Sequence, residues 1–252
     1  YLQELFESFK GLEILVRDEH YKAHGIINGI DTEVWNPETD PMLDFNFTKK
    51  DVVIKKKQNK AKLCKEYGLN PDLPLFGFIG RFATEKGADL LPDTVWKSIQ
   101  QNYGGLNIMI LGSGNTTIEN RLAELSYSFS NFALDLGYKE YLSHKIYASA
   151  DFFFFFSKVE AYELNEVDSM RYVTVSVVFY TGGMIDTVKD ISTGGAGINF
   201  AHAGVDDILH AIHRCLSIYY KKDSMQSLIQ ANMNFDFAWE KSAEKYINLY
   251  KN

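Results

Sequence analysis

From residue 75 onward, short continuous apolar runs alternate with longer amphipathic ones. Residues 75–80, 106–112, 132–137, 151–156, 174–180 and the region 198–201 read as strands. Residues 88–102, 116–129, 140–150, 164–172, 184–190, 204–220, 223–233 and 237–250 read as helices, with Pro92 placed in a first turn where its missing N–H costs nothing. Strands that are apolar throughout, each followed by a helix, predict a parallel sheet covered on both faces, an α/β doubly wound fold with extra helices at the C-terminal end. Upstream the pattern is less regular. Residues 1–24 read as a helix and a charged connection, and the stretch around Asn28-Gly29, Asp31 and Asn36-Pro37 as turns. Residues 38–60 read as a loop that carries Lys55, Lys56 and Lys57 as a solvated face, and 59–68 as a helix ending at Gly68. Residues 1–60 are therefore expected to be a connecting region and 61–252 the α/β domain with its C-terminal helical segment.

Composition narrows the classes. The chain has 252 residues, 46% hydrophobic and 23% charged, enough to hide roughly 70–75% of its extended surface in a core. Its longest apolar run, residues 152–156, is far short of the ~18 residues of a membrane span, so no membrane is expected as a partner. The opening YLQELFESFK has neither the basic nor the apolar part of an export signal. Two distant cysteines, Cys64 and Cys215, make no metal spacing and no disulfide framework, which suits a reducing, cytoplasmic setting. A net charge of −7 disfavours nucleic acid, whose phosphates want a basic face.

Ligands of a doubly wound sheet bind at the carboxyl ends of strands. Four segments fall there. Gly80-Arg81-Phe82-Ala83-Thr84-Glu85-Lys86-Gly87 sets two cations between a strand and a helix, which suits a diphosphate, although on spacing alone an Arg and a Lys that merely flank a turn are the better reading. Leu111-Gly112-Ser113-Gly114-Asn115 is a glycine-rich turn that reads first as a plain strand-to-helix connection. Glu160, Glu163, Glu166 and Asp168 crowd the third loop; oxygen ligands for a hard cation are one reading, helix-start acids favoured by the dipole the better one, and no metal is expected. Thr181-Gly182-Gly183 exposes backbone N–H groups that suit an anion. Phe152 to Phe156 reads as buried strand, Phe235, Phe237 and Trp239 as anchors of the last helix. His24, His144, His202 and His210 show no partner along the chain and read as structural or solvated.

In order and spacing, GIINGIDTEVWNPETDP (25–41), FIGRFATEKGADLL (78–91), ILGSG (110–114), LGYKEYLSHKIYASADFF (136–153), SMRY (169–172), TGGMIDTV (181–188) and MNFDFAWEKSAEKYINLY (233–250) resemble the bacterial glycogen synthase and plant starch synthase family. The resemblance implies the C-terminal, Rossmann-like half of a two-domain GT-B enzyme, a retaining glucosyltransferase that uses ADP-glucose to elongate α-1,4-glucan, with no cofactor beyond that substrate. It implies that Arg81 and Lys86 contact the donor diphosphate, that Glu160 grips the donor sugar, and that Gly137 and Tyr138 lie near the adenine. Thr181, Gly182 and Gly183 would border the sugar and phosphate. Gly80, Gly112, Leu164 and Asn165 complete the implied binding set.

The chain also departs from that pattern. Where the family reads roughly PSRxEPCGLNQ, Phe156, Tyr162, Glu163 and Glu166 replace its Pro, Cys, Gly and Gln. The usual Gly-Thr-x-Pro reads Val173-Thr174-Val175-Ser176, and a basic residue before the Thr-Gly-Gly turn is Phe179. A carboxylate at 163 facing a phosphate about 4 Å away is repelled by ~1 kcal/mol in water and ~4 kcal/mol near a protein surface. Because the family's N-terminal half supplies the acceptor wall, these residues by themselves are expected to be weakly active or inactive. Two alternatives follow from the same substitutions. One is an interaction module that meets a partner, a second copy or the missing N-terminal domain through an apolar patch of Tyr162, Val173 and Phe179 rimmed by Glu163, Glu166 and Asp168. The other is a pocket recut for a cationic ligand.

Overall fold

The structure is a computed structural model that describes residues 14, 18–102, 104–158, 164–180, 187–233, 235 and 238–251. Six parallel strands form one sheet in the order β3-β2-β1-β4-β5-β6, with β1 Leu75–Phe82, β2 Asn107–Gly114, β3 Phe132–Leu136, β4 Phe152–Phe155, β5 Val175–Phe179 and β6 Ile198–Phe200. The helices are α1 Val52–Tyr67, α2 Leu91–Gln101, α3 Thr116–Ser128, α4 Glu140–Ser149, α5 Leu164–Arg171, α6 Val205–Tyr219, α7 Lys222–Asn232 and α8 Trp239–Lys251. The doubly wound Rossmann-like architecture expected from the alternating pattern is the one found. The order reverses between β1 and β4, and the loops that leave those strands diverge there.

The five phenylalanines that read as a buried strand are at most 2% exposed. Successive side chains point to opposite faces, so Phe152 and Phe154 stack on Phe76 while Phe153 meets Tyr147 on the other side. Helices cover both faces, which removes the aggregation hazard such a run carries. Of the predicted helix at 184–190, residues 184–186 lie outside the described residues, Thr187 is helical, and the chain has left the helix by Val188, with Asp190 pairing with Gly197. The segment 1–13 lies outside the described residues.

The region before β1 differs from expectation. Helix α1 starts at Val52, so the lysine cluster is helical and residues 60 and 61 both lie inside one element. Lys56 is not solvated. Its Nζ donates to the carbonyls of Tyr147 and Tyr172 at 3.0 Å each and to Thr174 Oγ1 at 2.8 Å. Three acceptors match the three N–H bonds of an ammonium and tie α1 to the ends of α4 and α5. Burial, helped by the neighbouring charge of Lys60 and opposed by Asp151, pulls Lys56 down to about 7. Asn59 exchanges two bonds with the Phe45 backbone, holding the incoming loop on the same face.

At the other end of the chain, Ile30 pairs with Ala238 and Ser242 Oγ donates to the Ile27 carbonyl, which fastens α8 to the turn-rich segment. Phe235 and Trp239 are 40% and 47% exposed, so they are not the buried anchors expected of them, and Phe237 lies outside the described residues. No helix among the described residues is long and apolar enough to cross a membrane.

Candidate functional site

A cleft of about 420 Å³ opens at the carboxyl ends of β1, β2, β3 and β4. Its position follows from two close contacts. At Gly112 a Cβ would stand 2.1 Å from the Gly80 carbonyl oxygen, so the absence of a side chain lets β1 and β2 lie together beneath the cleft. Gly87 has φ +68°, and a Cβ there would stand 2.2 Å from the Phe156 carbonyl. The loop after β1 is thereby pressed onto the segment after β4. The clamp is reinforced by Lys158 N–H to the Glu85 carbonyl (2.9 Å) and by the Lys158 ammonium on both Asp89 oxygens.

That clamped loop carries the two cations singled out in the sequence. Arg81 stands near the end of β1 and Lys86 ends the 3₁₀ turn Thr84–Lys86, and both line the cleft. The Arg81 guanidinium is 74% exposed and touches Glu85 at 3.5 Å. Gly80, Gly112, Gly137, Tyr138 and Asn165 line the same cleft. Tyr138 is 79% exposed at its mouth, and Gly137 N–H donates to the Gly112 carbonyl at 3.0 Å. The turn after β2 is largely self-satisfied. Asn115 caps α3 through Thr117 and Ile118 N–H, and Gly114 N–H goes to Glu119, in line with its reading as a connection. Of the remaining expected residues, Leu164 opens α5. Glu160, Tyr162, Glu163, Thr181, Gly182 and Gly183 lie outside the described residues.

Trp35 and Tyr147 also line the cleft; both fall within segments that carry the resemblance, but neither was singled out as a site residue. Trp35 lies on the irregular segment before α1, and its ring stacks on His144 at 4.0 Å and 11°. His144 is buried and does have partners, contrary to the reading from sequence. Its Nδ1 donates to Asp40 Oδ2 at 2.7 Å, and the Tyr172 hydroxyl donates to the same oxygen. Burial works against the Asp40 charge, but these bonds and the Met42 N–H hold its carboxyl below the usual range. The His144, Asp40 and Tyr172 network thus fixes one wall of the cleft from behind.

The acids read as helix-start residues behave differently from expectation. Glu166 is 0% exposed and Asp168 4% exposed, and burial pushes the Asp168 carboxyl up to about 8. Val173 is fully buried, and Phe179 packs its ring on Phe200 at 5.8 Å. An exposed apolar patch of Val173 and Phe179 with Glu166 and Asp168 as its rim does not exist. Two buried acids also leave a cationic ligand only the charges outside the described residues. Among the described residues no group of His, Cys, Asp and Glu could hold a metal ion.

Strand order and a polar cleft at the point where it reverses define a Rossmann-like domain. Residues 73–217 match the glycosyl transferases group 1 family, and the chain belongs to it, as a domain homologous to the C-terminal GT-B domain of glycogen and starch synthases. The glycogen synthase of Flavobacterium johnsoniae is 41% identical over 251 residues, which are 99% of this chain and 53% of that relative. That of Rhodopirellula baltica is 38% identical, over 95% of this chain and 49% of the relative. The chain therefore spans about half the length of the curated relatives it matches. The catalytic domain of starch synthase IV from Arabidopsis thaliana, solved bound to ADP and acarbose, superposes with a TM-score of 0.92 at 33% identity, over all of this chain and 53% of that one. A glycosyltransferase from Rickettsia africae shares the fold alone, at 16% identity and a TM-score of 0.68.

Proposed function

We propose that these residues form the donor half of a glycogen/starch-synthase-like retaining glucosyltransferase, binding ADP-glucose for α-1,4-glucan elongation. The observation that carries the reading is the meeting of Arg81 and Lys86 on one cleft with Gly80, Gly112, Gly137, Tyr138 and Asn165. The starch synthase that superposes so closely was solved with ADP, which supports a nucleoside diphosphate as the ligand.

The chemistry follows from charge. When the bond from the anomeric carbon to the diphosphate breaks, negative charge collects on the departing ADP. A guanidinium and an ammonium set on that group stabilise it most at that moment. Tyr138 would face the adenine. Glu160 would hold the glucose, with Thr181, Gly182, Gly183 and Leu164 beside the sugar and phosphate. The carboxylate of Glu163 and the loss of a cation at Phe179 weaken the donor's hold. The acceptor wall belongs to the part of the relatives' length that this chain does not span, so transfer by these 252 residues alone is expected to be absent.

Titration calorimetry with ADP tests the proposal. Binding heat is expected for the chain, and Arg81→Ala and Lys86→Ala should each lower the affinity about tenfold or more. The double change Glu163→Gly with Phe179→Arg should tighten it. Absence of heat at millimolar ADP, or an Arg81→Ala protein that binds as well as the parent, overturns the reading.

A further inference from the structure

A second cavity, also about 420 Å³, lies at the opposite end of the sheet, against the residues that lead into β1 and β4. We propose that it is a binding site for a small monocarboxylate with a compact apolar body. Nothing in the donor-site reading uses it, and the two stand or fall separately.

The anion-recognising part is built from Lys60 and Tyr219, both lining the cavity. The Lys60 side chain is only 5% exposed. Its ammonium donates to Asp151 Oδ2 at 2.6 Å and to the Tyr219 hydroxyl oxygen at 3.1 Å. An ammonium has three N–H bonds, and no acceptor among the described residues takes the third. Because the Tyr219 oxygen accepts from Lys60, its own proton is left over, and no acceptor among the described residues takes that either. Two donors 3.1 Å apart fit the two oxygens of one carboxylate. Burial opposes the Lys60 charge, yet Asp151 and Tyr219 outweigh it, so the ammonium keeps its proton.

The surrounding charge has the matching sign. Lys56, Lys57 and Lys60 line the cavity against Asp72 and Asp151, an excess of one positive charge below about pH 7, where Lys56 holds its proton. Asp151 Oδ2 is itself committed to Lys60 and the Leu75 N–H, and Asp151 acts on Tyr219 through its charge rather than through a hydrogen bond. Apart from Gln226, the rest of the wall is largely apolar, with Val53, Met225 and Ile229 in it. A cavity of this size with apolar walls and a few converging donors is of the kind that encloses a small organic ligand. A fully hydrated inorganic anion would leave that apolar wall wet, which is why an organic acid is the better occupant.

The test uses phenylacetate as the probe and phenylacetamide as its neutral counterpart, with binding followed by NMR of methyl and amide groups. Phenylacetate is expected to shift the methyl signals of Val53, Met225 and Ile229 while Gly112 and Gly137, on the donor cleft, stay in place. Phenylacetamide should bind about tenfold more weakly, and so should phenylacetate to Tyr219→Phe, which keeps the ring and loses only the hydroxyl. Lys57→Glu, on an exposed position, reverses the excess charge and should weaken phenylacetate further. No shift at millimolar phenylacetate, equal shifts with the amide, or unchanged binding by Tyr219→Phe each overturns the proposal. ADP added to the same sample reads the donor cleft independently.

Discussion

Val173 has φ 63°, a conformation that β-branched residues avoid because Cβ crowds the carbonyl, at a cost of roughly 1–2 kcal/mol. It sits in the short connection between α5 and β5. Its side chain is fully buried, so the strain is offset by apolar contact worth about 1.5–3 kcal/mol. Val173→Gly gives up that contact but relieves the backbone, whereas Val177→Gly, in the middle of β5, gives up contact and strand order together. In urea denaturation, Val173→Gly should cost about 1–2 kcal/mol less than Val177→Gly. Equal losses would mean the left-handed turn holds no strain. Asp168 offers a second test at this scale. Its carboxyl titrates near 8 in the fold against about 3.9 in an unfolded chain, so between those values the native state binds the extra proton. Stability is then fully present below about pH 4 and is lost as pH rises through about 8. Asp168→Asn should match the parent at about pH 4 and exceed it by about 5 kcal/mol at about pH 9, read from denaturation midpoints; a constant difference across that range would show that burial is not what shifts the group.

Among elements, the pair β1 and β2 bears most directly on the cleft. The contact at Gly112 is with backbone, which cannot rotate aside, so any side chain there must push the two strands apart. Gly112→Ala is expected to cost about 3 kcal/mol or more and to abolish ADP binding, measured by denaturation and calorimetry. A variant of parental stability would place the flexibility of this edge well above what the packing implies. Most elements were legible from sequence because an apolar run of five to seven residues followed by an amphipathic one has few other meanings. Helix α1 was the exception over residues 52–58 only, since its remainder and its end at Gly68 were legible. Its buried stripe contains Lys56, Asn59 and Lys60 alongside Val52, Leu63 and Cys64, so half of the inward positions are polar and the apolar period fades. Their partners lie far away in the chain, at Phe45, Tyr147, Asp151 and Tyr172, and pairing at that range leaves no local pattern.

Over the whole molecule, the sheet separates two hollows, one at each end of its strands. The donor cleft was partly legible, since a cation pair and its glycines fall within one loop and its neighbour. Trp35 and Tyr147 were not, because they enter the cleft from a connecting segment and from the body of α4, where only the folded arrangement brings them to its wall. The buried acids of α5 were misread for a related reason: helix-start carboxylates usually face water, and nothing local announces that Glu166 and Asp168 turn inward.

The two thiols lie on different helices of this frame, Cys64 on α1 and Cys215 on α6, and neither has any exposed surface. Burial raises Cys64 to about 11 and Cys215 well beyond its ordinary value, so neither offers a thiolate to an alkylating reagent while its helix is seated. Each sulfur becomes a clock instead. The rate at which an electrophile consumes it records how often that particular helix lifts away, and the chain carries one such timepiece on each of the two layers that sandwich its strands.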